Sequence, residues 1–330
     1  MNISNSFHPM LPLRPARIQT LLASSKVRAW GANHMVEAAR DIIFETPDGV
    51  KLLGSYSQHD RRHAKGLVIF LHGWEGSVNS TYILCTGRAL FQSGYNILRL
   101  NFRDHGESHH LNQGIFYAVL LEEVFQAVKQ AAQLAGELPV FLAGFSMGGN
   151  FVLRILQRCI DHPIENLHHA VAISPVLDPE KATFKTDETF LIRRYFLKKW
   201  FGSLKKKQQI FPELYDFSKV FSLKTIAAVT DVLLHDFSDY GSSKDYFKQY
   251  SVVKEAIKHI SVPTTIITAA DDPIIPVEDF YQLKTNDLTT LIIQPYGGHN
   301  GFIDGLYLHS WYDQQMIMIF DEAVRNRSTS

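Results

Sequence analysis

Apolar residues along this chain follow two alternating rhythms. Short, mostly apolar runs occur at Leu67 to Leu71, Tyr95 to Leu100, Val140 to Ala143, Ala170 to Ser174, Val262 to Thr268 and Thr290 to Gln294. Each is long enough for a buried strand and too short for a helix. Between them apolar positions recur at helical spacing, over Ile83 to Gln92, Val119 to Leu134, Phe151 to Leu156, Val277 to Leu283 and Tyr307 to Val324. Strands buried on both faces and separated by helices predict an α/β fold, a mostly parallel sheet with helices on both sides. Ahead of this alternation, Arg40 to Glu45 and Val50 to Ser57 flank the turn signal Pro47-Asp48-Gly49 and predict a hairpin. The alternation stops after Asp178, and up to about Ile260 there are only helical stretches rich in aromatic and charged residues. The domain organisation expected is a core of residues 39–177 and 262–330, with a helical cap inserted at 178–261. Residues 1–38, with Pro9, Pro12 and Pro15 followed by Ile18 to Leu22, read as an extended arm leading into a helical turn.

Composition narrows the function classes. Lys+Arg and Asp+Glu balance at 33 each, which argues against nucleic acid as a partner. The two cysteines, Cys85 and Cys159, both fall in helical segments, so a disulfide framework or cysteine metal site is not expected and a reducing compartment fits. No basic region precedes an apolar segment at the N-terminus, and no run approaches the length of a membrane span. A soluble, cytoplasmic protein is the expectation.

The candidate chemistry sits where strands end. Val140 to Ala143 runs into Gly144-Phe145-Ser146-Met147-Gly148 and then into a helix, the strand-turn-helix context that gives Gly-x-Ser-x-Gly its meaning. The flanking glycines allow strand and helix to close, and Ser146 is lifted above the sheet in a strained backbone over the helix N-terminus. A serine hydroxyl needs a base, and the base needs an orienting acid. Behind the strand ending at Thr268 come Asp271 and Asp272, and behind the strand ending at Gln294 comes His299, flanked by glycines. His299 is the candidate base. Asp272, followed by Pro-Ile-Ile-Pro, is preferred as the acid over Asp271, which would stabilise the loop; Asp178 is a third choice. An oxyanion requires backbone N–H donors, for which Met147 and Trp74 are the candidates, while the His72 side chain reads as structural. Arg103 to His110 gathers carboxylates and histidines, yet on its loop it reads as structural support, and no metal site is assigned. His168 and His169 read as a solvated edge.

These motifs, His72-Gly73-x-x-Gly76, Gly144 to Gly149, Ala270 to Pro273 and Gly297 to Phe302, resemble the α/β-hydrolase superfamily and, more narrowly, its YheT-like branch of esterases and lipases. Leu13 to Leu21 is similar to that branch's arm and Asp245 to Ser251 to its end-of-cap segment, while Arg103-Asp104-His105-Gly106 replaces the Arg-Gly-Cys-type loop of many members. The resemblance implies hydrolysis of carboxylic esters by Ser146, Asp272 and His299, with no metal or organic cofactor. The cap, from Phe190 to Phe201, mixes large apolar side chains with Arg193, Arg194, Lys198 and Lys199, and Lys205 to Lys207 follow. That lining favours a small, hydrophobic, acyl-bearing ester, and its cations suggest transient contact of the cap with an anionic membrane surface. An acyltransferase or thioesterase would use the same residues, and a catalytically inactive binding protein is the alternative of another class.

Overall fold

The computed structural model describes residues 7–59 and 64–327. Its main sheet has eight strands: β1 (Ala39–Glu45), β2 (Lys51–Ser57), β3 (Leu67–Leu71), β4 (Asn96–Leu100), β5 (Val140–Phe145), β6 (Leu167–Ile173), β7 (Thr264–Ala269) and β8 (Thr289–Gln294). Their order is β1-β2-β4-β3-β5-β6-β7-β8. The β1–β2 hairpin joins β4 antiparallel, and every pairing from β4 through β8 is parallel. Among the helices before the end of β6 are α1 (Ala16–Ala23), α2 (His34–Glu37), α3 (Thr81–Gln92), α4 (Leu121–Gln133) and α5 (Met147–Asp161).

The continuous apolar runs follow from two-sided burial. Along β3, Leu67, Ile69 and Leu71 pack in one core with α4 and α5, while Val68 and Phe70 pack on the opposite face with Tyr82 and Leu90 of α3. That second face is completed by Tyr312, Met316 and Phe320 of the last helix. No position of β3 faces water, so no polar residue interrupts it.

Between β6 and β7 the chain forms α6 (Pro179–Glu188), α7 (Phe190–Ile210), α8 (Ile226–Phe237) and α9 (Ser243–Gln249), with no sheet strand among them. After β7 come the short α10 (Glu278–Tyr281), then β8, the two-residue strands β9 (Ile303–Asp304) and β10 (His309–Ser310), and α11 (Trp311–Arg327). Here the periodicity misplaces one boundary. Tyr307 and Leu308 are not in the last helix but in the β9–β10 turn, where Gly305 and Leu308 have positive φ. The helix starts at Trp311, held by Ser310 N–H donating to Asp313. A second correction concerns His168 and His169. Both lie inside β6, and His169 Nε2 sits 3.0 Å from Thr265 Oγ1 on β7, so they are not a solvated edge.

Candidate active site

The C-terminal ends of β3, β5, β7 and β8 converge on one place, the crevice in which parallel sheets bind ligands. Ser146 follows β5 directly, with φ of 55° and ψ of −116°, and caps α5. This backbone is costly for a residue with a side chain, and the glycines around it explain how it is imposed. A Cβ on Gly144 would come within 2.3 Å of the Gly148 carbonyl oxygen, and one on Gly148 within 2.2 Å of that of Leu71. Only glycine lets strand, turn and helix pack this closely.

The loops after β7 and β8 bring a carboxylate and an imidazole to Ser146. His299 Nε2 lies 2.9 Å from Ser146 Oγ, and His299 Nδ1 lies 2.8 Å from Asp272 Oδ2. A carboxylate only accepts, so Nδ1 carries the ring proton and Nε2 is left to accept from the hydroxyl. Asp272 is buried, and its other oxygen accepts from the N–H groups of Ile274 and Ile275 at 2.8 and 2.9 Å. Asp271 faces elsewhere and accepts from the Gly298 N–H at 2.9 Å, bracing the histidine loop; burial raises its pKa. Asp178 is remote from the imidazole, capping α6 and pairing with Lys181.

The loop after β3 crosses beside the serine, so that a Cβ on Gly73 would sit 3.3 Å from Ser146 Cβ. Its N–H groups are largely committed. Gly73 donates to Tyr82 Oη, Glu75 to His105 Nε2 and Gly76 to the Gly73 carbonyl. The Trp74 N–H has no acceptor among the described residues, and neither does that of Met147, the first residue of α5.

Two buried histidines hold this loop. His72 Nδ1–H donates to the Gly73 carbonyl and Nε2 accepts from the Phe102 N–H. His105 Nδ1–H donates to the Arg103 carbonyl while Nε2 accepts from Glu75. Burial, against a countervailing bond to Gly73, pulls His72 down to about 4, and burial pulls His105 well below the ordinary value. Protonating either ring would set an N–H against a backbone N–H. Elsewhere in the Arg103–His110 stretch, Asp104 binds Lys207, Arg103 pairs with Glu123, and His109 Nε2 lies 2.8 Å from Ser203 Oγ. No group of three or more histidine, cysteine or carboxylate side chains among the described residues is disposed to hold a metal ion.

Over the serine lies a cavity with about 960 Å³ of empty space, its open mouth included. It runs between Trp74 and Met147 on one side and α6, α8 and α9 on the other, through Thr186, Ile226, Leu233 and Phe247. Trp74 stacks on Phe196 at 5.3 Å and meets Trp200 edge-on at 4.9 Å, so its ring joins the loop after β3 to α7.

Four supporting residues were not evident in the sequence. Thr20 Oγ1 accepts from the His299 N–H at 2.9 Å, and the fully buried Gln19 bonds both the N–H and the carbonyl of Ile303. Lys185 of α6 donates to the Asp272 carbonyl at 2.8 Å. Lys207 of α7 is buried and donates to Asp104 and to the carbonyls of Asn112 and Gly114. No local pattern marks these residues, because each partner lies far along the chain.

Comparison with known proteins agrees with this architecture. Residues 62–304 match the family model described as serine aminopeptidase, S33. The putative esterase YheT of Escherichia coli K12 is 27% identical over 284 residues, covering 80% of this chain and 79% of that one. Phospholipase ABHD3 of Bos taurus is 23% identical over 341 residues, covering 98% and 79%. Among solved structures, a Pyrococcus furiosus esterase, Pf2001, superposes with a TM-score of 0.54 at 20% identity, over 87% of this chain and 90% of that one. The chain belongs to the S33 serine hydrolase family of the α/β-hydrolase superfamily, as a YheT-like member of its esterase and lipase branch.

Proposed function

We propose that this hydrolase cleaves carboxylic esters with a hydrophobic acyl group, through Ser146, His299 and Asp272. The observation that carries the reading is the unbroken chain of contacts from Ser146 Oγ to His299 at 2.9 Å and from His299 to Asp272 at 2.8 Å, at the floor of an apolar cavity. Ser146 Oγ attacks the ester carbonyl as His299 Nε2 takes its proton, and Asp272 stabilises the imidazolium that forms. The unengaged N–H groups of Trp74 and Met147 receive the oxyanion. Collapse of the tetrahedral adduct passes the proton from His299 to the departing alcohol and leaves an acyl-serine. Water, deprotonated by the same imidazole, then releases the carboxylic acid and restores Ser146.

The cavity's chemistry favours an ester over the substrate named in the family description. An aminopeptidase must receive a free ammonium, which calls for a carboxylate near the serine. Among the described residues that line the cavity there is neither Asp nor Glu. Its lining is dominated by aliphatic and aromatic side chains, the setting of an alkyl chain.

The test is labelling by a fluorophosphonate and turnover of p-nitrophenyl esters of increasing acyl length, for the parent and for Ser146→Ala. The parent should label and show an optimum in acyl length, and the variant should lose labelling and at least about 10⁴-fold in turnover. Labelling that survives in a folded Ser146→Ala protein would overturn the assignment.

A further inference from the structure

The N-terminal segment is built inside out. In α1 the buried positions are Gln19 and Ala23, while Ile18 and Leu21 face solvent. In the following turn the buried side chain is Arg28, and Val27 and Trp30 are exposed. A surface helix ordinarily does the reverse. The inward polar groups are bolts: Gln19 holds Ile303, and Arg28 donates to the Leu308 carbonyl at 2.8 Å and to Ser310 Oγ at 2.7 Å. These bonds tie the arm to the β9–β10 hairpin, whose tip presents Leu306 and Tyr307 at 84% and 86% exposure. On the arm itself Leu11, Leu21 and Trp30 are each at 70% exposure or more. Eight of the twenty large apolar side chains exposed among the described residues therefore belong to Met10–Trp30 and this one tip. Scattered exposed leucines are ordinary, but a patch gathered on one rigidly anchored face points to a partner.

Charge identifies the partner. From Phe7 to Val36 there is no carboxylate, and Arg17 and Lys26 are exposed among the apolar side chains. On the hairpin from Ile303 to Ser310 the one acid is Asp304. A second copy of the chain is a poor match, because a two-fold contact would press this cationic face against itself. A bilayer surface with anionic headgroups meets both demands: apolar side chains enter the acyl boundary, Trp30 and Tyr307 occupy the headgroup level that such aromatics favour, and Arg17 and Lys26 meet lipid phosphates. We propose that the arm and the β9–β10 tip form a docking face for anionic lipid surfaces. The face stands apart from the cap, and the inference does not depend on the ester-hydrolase reading. α1 nevertheless carries Thr20, whose hydroxyl holds the His299 N–H, so docking would fix the membrane one helix away from the imidazole.

The experiment is flotation of the full chain with vesicles of phosphatidylcholine, with and without phosphatidylglycerol, at low and high salt. The parent should float with the anionic vesicles, less with phosphatidylcholine alone and less at high salt. Trp30→Glu combined with Tyr307→Glu should lower the bound fraction at least tenfold, and Arg17→Glu with Lys26→Glu should remove the preference for phosphatidylglycerol. Because these side chains are exposed, circular dichroism and turnover of a short soluble ester should be unchanged. The milder Trp30→Ser/Tyr307→Ser pair serves if the charged pair fails to fold. Ser146→Ala should float like the parent, which separates docking from catalysis. Absence of binding to anionic vesicles, or binding untouched by either aromatic pair, would overturn the proposal. So would a dimer in sedimentation that Trp30→Glu/Tyr307→Glu dissolves, which would assign the face to a second copy.

Discussion

Replacing Lys207 with methionine tests how α7 is fastened to the sheet domain. Its side chain is only 1% exposed, and the ammonium lies 2.8 Å from Asp104 Oδ1, 2.7 Å from the Asn112 carbonyl and 3.1 Å from that of Gly114. Burial lowers the lysine pKa, and burial raises Asp104 to about 6 against the pull of Lys207, so each charge depends on the other. Lys207→Met keeps the apolar stem but loses the ammonium over the Phe211 ring, leaves Asp104 with one donor, the Phe116 N–H at 3.1 Å, and strips the carbonyls of His109, Asn112 and Gly114 of this donor. Removing one member of a buried ion pair costs about 3–5 kcal/mol, chiefly through the charge left behind. Adding Asp104→Asn removes that charge, and asparagine tolerates the positive φ that Asp104 adopts. The double variant should therefore recover about half of the loss. Urea denaturation of the parent, both single variants and the double variant measures the cycle. A fall in m together with stability would mean that the helices between β6 and β7 unfold separately. A loss below about 1 kcal/mol for Lys207→Met, or strictly additive single effects, would refute the reasoning.

Three further outcomes follow from the same geometry. Thr20→Val keeps the shape of α1 but leaves the His299 N–H without its acceptor; kcat should fall about tenfold, with KM little changed and Thr20→Ser restoring it, and steady-state kinetics on a soluble ester checks this. Gly148→Ala drives a Cβ to within 2.2 Å of the Leu71 carbonyl oxygen, so soluble yield and thermal midpoint should collapse, and a midpoint within a few degrees of the parent's would contradict the packing described. Acidification should destabilise the fold. His72 and His109 are held at about 4, chiefly by burial, against 6.5 when unfolded, so the unfolded chain takes up their protons first and stability present above pH 6.5 is lost as pH falls toward 4. For His72 this displacement corresponds to about 3 kcal/mol. Burial also raises two carboxyls, Asp104 to about 6 and Glu75 to about 8, which work in the opposite direction, while His105 and His169, likewise pulled down by burial, add to the histidine side; urea midpoints at pH 7, 6 and 5 should decline, and His72→Asn should flatten the trend.

The chain alone determined what depends on neighbours in sequence. Two-sided burial demands uninterrupted apolar runs, so β3 and β5 could be read directly, and the close packing at Gly144 and Gly148 can be met by no other residue. The order of Ser146, Asp272 and His299 behind β5, β7 and β8 is likewise a property of the linear chain. What only the tertiary structure decided are pairings between distant segments. Thr20 meets His299 across 279 residues and Lys207 meets Asp104 across 103, and in a sequence both look like solvent-facing positions on a helix. Asp271 and Asp272 are adjacent, and which one reaches the imidazole was set by loop backbone, through the N–H groups of Ile274, Ile275 and Gly298. The same holds for α1, where hydrophobic periodicity would have turned Leu21 inward. The β9–β10 hairpin instead offers backbone groups that only Gln19 can satisfy, and an unmet buried hydrogen bond costs more than an exposed leucine.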